Sequence, residues 1–159
     1  MLVIADTSPL NYLIRLGYSD LLHLIYGRVL VPDAVLIELQ HDEAPPEVRD
    51  WAARPPAWLE KRTVERVEES LAVELGAGER EAISLALEVG ADLLLIDERA
   101  GRHEAEARKI PIAGTLAILL QAAVGGVLEL PDTLQKLHEY GFRVSRLSRR
   151  PFSPVTSSL

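Results

Sequence analysis

Four acidic side chains sit in settings that ordinary surface carboxylates avoid: Asp6, Glu38, Glu79 and Asp97. Asp6 directly follows the apolar run Leu2-Val3-Ile4-Ala5, and Asp97 follows Leu93-Leu94-Leu95-Ile96. Glu38 has apolar Ala34 and Val35 as its helical neighbours at i−4 and i−3, so it lies on or beside a core-facing stripe. Glu79 has Ala82, Ile83 and Ala86 at i+3, i+4 and i+7. Glu81, with Ser84 and Glu88 at the matching positions, reads instead as the solvated acid of that helix. Each of the four also has a structural alternative. Asp6 and Asp97 could cap the helices that follow, and Glu38 could snorkel at a stripe edge. Glu79, after Gly76-Ala77-Gly78, could simply complement a helix dipole.

A shared pocket for such acids is costly. Two unit charges about 4 Å apart repel by about 4 kcal/mol at an effective dielectric of about 20. Only protons or cations offset that. Carboxylates with open positions suit Mg²⁺ or Mn²⁺, which keep waters and bind substrate phosphates. Two such ions can stabilise both the attacking and the leaving oxygens of an in-line phosphoryl displacement.

The elements that would position these acids are legible in outline. Leu2–Ala5 and Leu93–Ile96 are continuous apolar runs, the mark of strands buried on both faces. Pro9 belongs in a helix's first turn, with Ser8 as its N-cap, so a helix is expected from Pro9 to Arg15. A second helix spans Ser19–Ile25, a strand Arg28–Val31, a helix from Pro32-Asp33 through Gln40, and another Glu47–Ala53. Trp58–Val64 reads as extended and Glu65–Leu75 as helical. Further helices are expected at Glu79–Val89, closed by Gly90, and at Glu98–Lys109. After a strand at Ile110–Ala113, Thr115 caps an apolar helix to Val124, Asp132–Tyr140 is helical, and Phe142–Val144 reads as a strand. Strands alternate with helices, so the expected architecture is a three-layer α/β/α sandwich around a mostly parallel, Rossmann-like sheet. If the two apolar strands Leu2–Ala5 and Leu93–Ile96 are neighbours in a parallel sheet, Asp6 and Asp97 emerge at the same edge, where α/β folds bind ligands.

Composition bounds the function. With 159 residues the chain suits one domain, assigned here to residues 1–147, with a flexible tail at 148–159. The net charge of −7 and pI near 5.1 argue against gripping nucleic acid through a broad basic surface. They do not exclude an enzyme that meets phosphates through a bound cation. There is no cysteine, which removes disulfides and thiolate metal sites. No apolar run approaches the roughly 20 residues that span a membrane, and no signal peptide is visible, so a cytoplasmic location is expected. The scattered histidines His23, His41, His103 and His138 form no metalloprotease motif, and neither a nucleophile elbow nor a phosphate-binding P-loop occurs. Haloacid-dehalogenase-type phosphatases need a second Asp where Ser8 stands, and response-regulator receivers need an acidic pair after the first strand, where Asp6 stands alone.

The order of these pieces resembles the PIN (PilT N-terminal) domain family of nucleases. The matching segments are Asp6-Thr7-Ser8, Val31-Pro32 through Glu38-Leu39, Gly76 through Ile83, Leu94 through Asp97 with Arg102, and Ile112-Ala113-Gly114-Thr115 before an apolar helix. They cover roughly residues 1–145 and look most like a compact prokaryotic branch related to the VapC toxins. The resemblance implies Mg²⁺- or Mn²⁺-dependent cleavage of RNA, with Asp6, Glu38, Glu79 and Asp97 as the acidic quartet and Asp6 and Asp97 as its principal metal ligands. It further implies that Thr7 or Ser8 orients Asp6 or touches the phosphate. Arg102 could contact a phosphate or pair with Glu98 or Glu106. The family often has Asp where this chain has Glu79, and the longer arm changes the reach to a cation. As the toxin of a toxin–antitoxin pair, the chain would have a cognate antitoxin protein as a partner. A homodimer is expected too, through the apolar helices Leu21–Ile25 and Leu116–Val124, although ordinary core packing is the stronger reading of both. Arg143, Arg146, Arg149 and Arg150 form a basic stretch that could hold RNA or an acidic segment of the antitoxin. The non-enzymatic alternative is a PIN-like nucleic-acid-binding or scaffold protein whose acids bind a structural ion.

Overall fold

Strand β1 (Val3–Ala5) lies at the centre of a five-stranded parallel sheet ordered β3-β2-β1-β4-β5. The computed structural model describes residues 1–143. The other strands are β2 (Val29–Pro32), β3 (Leu59–Arg62), β4 (Leu93–Leu95) and β5 (Ile112–Ala113). Side chains alternate across the sheet. Val3, Ala5, Val29, Val31 and Leu95 join one core, while Ile4, Leu30, Leu94 and Ile96 join a second on the opposite face. The first core is covered by α1 (Thr7–Leu16), α2 (Asp20–Tyr26), α3 (Asp33–Leu39), α4 (Pro46–Ala53), α7 (Thr115–Val124) and α8 (Leu130–Glu139). The second is covered by α5 (Ala77–Val89) and α6 (Arg99–Ala107). This is the three-layer α/β sandwich expected from the alternation of strands and helices. Burial on both faces is why β1 and β4 read as unbroken apolar runs.

The local departures have physical causes. Helix α1 starts at Thr7, two residues before Pro9, so Ser8 lies inside the helix and Asp6 occupies the N-cap position. Thr115 is likewise the first residue of α7, and Gly114 holds its N-cap position. Gly90 closes α5 in the left-handed conformation, φ 63°, as its sequence position suggested.

Residues 65–75 form no helix. Their backbone amides are taken by side chains of the two helices beneath: Glu65 N–H donates to Glu88, Glu68 N–H to Ser84 Oγ and Ala72 N–H to Glu104, at 3.0, 2.9 and 3.0 Å. Arg80 in turn donates to the carbonyls of Ala72 and Leu75. Leu71 and Leu75 are buried in the second core. The segment is thus a strap held by tertiary bonds that outcompete its local helical pattern.

Phe142 and Arg143 are not in a strand, and Val144 lies outside the described residues, as do Arg146, Arg149, Arg150 and the tail boundary at 147–148. The apolar helices proposed for dimerisation are mostly core: Leu21, Leu22, Leu116, Ile118 and Leu119 are buried, while Leu24 and Val124 are exposed. Among the described residues no helix is long and apolar enough to cross a membrane.

Candidate metal centre

The register of the two central strands sets the geometry. Val3, Ile4 and Ala5 pair with Leu93, Leu94 and Leu95, and the Asp6 amide donates to the Leu95 carbonyl at 2.9 Å. Asp6 and Asp97 therefore leave the sheet at the same carboxyl edge. Here the strand order reverses direction between β1 and β4, the kind of edge at which open α/β sheets bind ligands.

Asp6 is 2% exposed. It stands at an N-cap position yet makes no side-chain capping bond, and its Oδ1 has no hydrogen-bond partner among the described residues. Burial pushes its pKa up to about 8. The Thr7 amide pulls it back in part, and the charges of Glu79, Glu38 and Asp97 push it up again. Those three acids lie within electrostatic reach of Asp6, so the four share one region of the molecule. A buried oxygen without a partner costs roughly 1–3 kcal/mol, which a simple cap would not incur.

Asp97 is held from the far side. Thr115 donates its backbone N–H to one carboxylate oxygen and its hydroxyl to the other, each at 2.7 Å. Thr115 thus orients Asp97 instead of capping its own helix. Burial raises the Asp97 pKa, opposed by the two Thr115 bonds and the nearby Arg102 charge. A Cβ at Gly114 would come within 2.7 Å of Asp97 Oδ1 and 3.0 Å of Arg102 Nη1, so only glycine leaves room for both.

Glu38 joins three elements. Its Oε1 accepts the Thr7 hydroxyl at 2.5 Å, and its Oε2 accepts the Gly78 amide at 2.9 Å. Thr7 therefore orients Glu38 rather than Asp6. A Cβ at Gly78 would press on both Glu38 carboxylate oxygens, so a side chain there would displace Glu38. Half-buried Glu38 points across towards α5 and does not snorkel outward.

The two oxygens of Glu79 differ in their surroundings. Oε1 accepts the Gly76 amide at 3.2 Å, a bond from the N3 carboxylate back to the N-cap backbone. Oε2 is buried with no partner, beside Gly101, where a Cβ would approach it to 2.8 Å. Burial raises the Glu79 pKa, with further repulsion from Glu98 and Glu38.

Arg102 pairs with neither Glu98 nor Glu106. Its Nη1 donates to the Ile96 carbonyl at 2.8 Å, which parks the guanidinium beside Asp97. Ser8 is half-buried in the first turn of α1. Glu81 is not a solvated acid. It accepts the Ala34 amide at 3.0 Å and so satisfies a donor at the start of α3.

Sequence reasoning missed Glu98 and Tyr12. Glu98 adds negative charge to Glu79 and Asp97, and the Tyr12 phenol is raised first by burial and then by Asp97 and Glu98. Glu98's adjacency to Asp97 was the available signal; Tyr12 carried none.

Among the described residues no three His, Cys, Asp or Glu side chains stand as a ready-made cation cage. The donors nonetheless suit a hard divalent ion. All are carboxylate oxygens, and two buried ones lack a partner. Mg²⁺ completes its shell with water and substrate phosphate rather than relying on an all-protein cage.

Comparison with known proteins agrees with the fold. Among solved structures, the chain is similar to a PilT N-terminus domain protein from the hyperthermophilic archaeon Sulfolobus solfataricus P2, with a TM-score of 0.55 and 12% sequence identity. That likeness covers 77% of this chain and 93% of the other. No curated protein matches the sequence. A family model described as PIN domain matches residues 2–151, and on that match the chain belongs to the PIN-domain family.

Proposed function

We propose that this chain is a Mg²⁺- or Mn²⁺-dependent ribonuclease that cleaves RNA by in-line attack of water on a phosphodiester. The observation that carries the reading is the buried, partnerless oxygen of Asp6 on the sheet edge it shares with Asp97. Asp6 and Asp97 would hold the cation. Glu79 offers its free Oε2, and Glu38, fixed by Thr7 and Gly78, would hold waters. A divalent cation at such a site supplies Lewis acidity towards a phosphoryl oxygen and lowers the pKa of water. Asp6 must lose its proton before a cation can enter. Thr115 keeps Asp97 oriented while that happens. Arg102, anchored to the Ile96 carbonyl beside Asp97, gives a fixed positive charge for the substrate phosphate, and Ser8 is a second candidate contact.

The family supports a further assignment as the toxin of a toxin–antitoxin pair, with an antitoxin protein closing the acidic crevice and a homodimer as the assembly. A small upstream reading frame for a DNA-binding protein would support the pairing. A monomer at micromolar concentration would defeat the dimer.

The second reading is a non-catalytic PIN-like nucleic-acid-binding or scaffold protein. The lack of a preformed three-acid cage among the described residues favours it. One experiment separates the two: incubate the chain with single-stranded RNA and Mn²⁺, then repeat with Asp6→Asn. Cleavage lost in the variant supports the nuclease; no cleavage by the parent supports the scaffold.

A further inference from the structure

We infer that Tyr12 is a stacking platform for one base of single-stranded RNA at the rim of the acid site, an inference that rests on the ribonuclease reading above. Tyr12 lies on α1, whose N-terminus is Asp6. Side chains on a helix lean towards its N-terminus, so the Tyr12 ring leans back to the acid edge. Helix α1 packs against α7, which presents Thr115 to Asp97. Burial does most to raise its phenol, and the further push from Asp97 and Glu98 fits a place near the acid edge.

The ring is held in place by a dedicated device. Phe142 meets it edge to face, with centroids 5.2 Å apart and planes at 84°. Phe142 is pinned in turn by a reciprocal latch between α1 and the end of α8. Tyr140 Oη donates to the Arg15 carbonyl at 3.1 Å, and Arg15 Nη1 donates to the Tyr140 carbonyl at 3.4 Å. The Arg15 guanidinium also sits 4.3 Å from the Tyr140 ring centroid. Both Tyr12 and Phe142 remain half-buried, so an ordered aromatic surface stays open to solvent.

Charge supplies the reason for a stacking contact. A chain of net charge −7 gains little from counterion release on a polyanion. Stacking on an aromatic ring needs no positive charge and tolerates every base. A platform beside the acids would hold the strand where cationic contacts are few.

The test uses the full chain carrying Asp6→Asn and a single-stranded RNA hexamer containing 2-aminopurine. Stacking should quench the probe. Tyr12→Leu should abolish the quench and weaken binding about ten-fold, while Tyr12→Phe keeps both. A folded Tyr12→Leu chain that still quenches and binds equally would overturn the platform. Should Tyr12→Leu fail to fold, abasic substitution along the hexamer gives the second measurement. A loss of about ten-fold at one nucleotide supports the platform; equal affinity at every position overturns it. Cleavage by the unmodified chain is scored separately. A parent that quenches the probe but cuts no RNA refutes the nuclease and leaves the platform standing.

Discussion

Two sets of acids on neighbouring elements are used in opposite ways. Glu81, Glu88 and Glu104 each accept a backbone amide from a distant segment, and Glu104 also pairs with Arg108 at 3.2 Å. These acids fasten the strap and the start of α3 to the helices that carry them. Asp6 is buried and Glu79 half-buried, and each leaves a buried oxygen with no partner among the described residues. On α5 the contrast falls within two residues, between Glu79 and Glu81. For Asp6 and Glu79 the distinguishing mark is an unmet hydrogen-bonding capacity, not position on an apolar or polar face; Asp97 and Glu38, whose oxygens are all bonded, are candidates through their closeness to Asp6.

The sharpest test of that contrast is Asp6→Asn. Cleavage of single-stranded RNA in Mn²⁺ should fall roughly hundred-fold or more, since a cation supplies several kcal/mol of transition-state stabilisation. Yet the metal-free variant should melt higher than the parent at pH 8, because the amide carries no charge to bury. A variant that both cuts and melts like the parent would place Asp6 with the structural acids.

Next in size is the pH dependence of stability. Asp6 ionises near 3.8 unfolded and near 8 folded. The folded metal-free chain therefore holds the extra proton between those values, and its stability should fall as pH rises through that window. Raised Asp97 and Glu79 act in the same direction. Mn²⁺ should raise the melting temperature most at high pH, where it no longer competes with protons. Thermal melts from pH 5 to 8, with EDTA and with Mn²⁺, check both slopes; Asp6→Asn should flatten the metal-free one.

Smaller effects follow from the glycines that make room for the acids. Gly78→Ala and Gly114→Ala should each cost about 1–3 kcal/mol of stability by overpacking and should reduce cleavage by displacing Glu38 or Asp97. Chemical denaturation and initial rates read the two effects. The smallest effect on catalysis belongs to Glu104→Ala. It should cost about 1–3 kcal/mol by orphaning the Ala72 amide and should leave the cleavage rate of the folded protein unchanged. A rate loss there would erase the distinction between the two sets.

The sequence carried the frame of the site but not its fastenings. Apolar runs ending in Asp6 and Asp97 revealed two buried strands, and an i+3, i+4, i+7 pattern put Glu79 on the inner face of α5. Periodicity sees these because each is a local regularity. It failed where a remote side chain decides the local structure. Residues 65–75 look helical, but Ser84, Glu88 and Glu104 claim their amides. Glu81 looks solvated, but its partner, Ala34, lies 47 residues away. Thr115 looks like a cap, but its hydroxyl goes to Asp97. Tyr12 could not be singled out, since its place beside the acids depends on how α1 packs against α7.

The pairing of β1 with β4 has a consequence for biosynthesis. Val3 and Leu93 are neighbours in space but stand at opposite ends of a long intervening stretch, so the central seam closes late and at a high entropic cost. A ribosome-bound fragment that stops short of Leu93 holds Asp6, Glu38 and Glu79 but neither Asp97 nor the strand that would seat it. The pairing of Asp6 with Asp97 on one sheet edge is thus completed only after the second half of the polypeptide has been made.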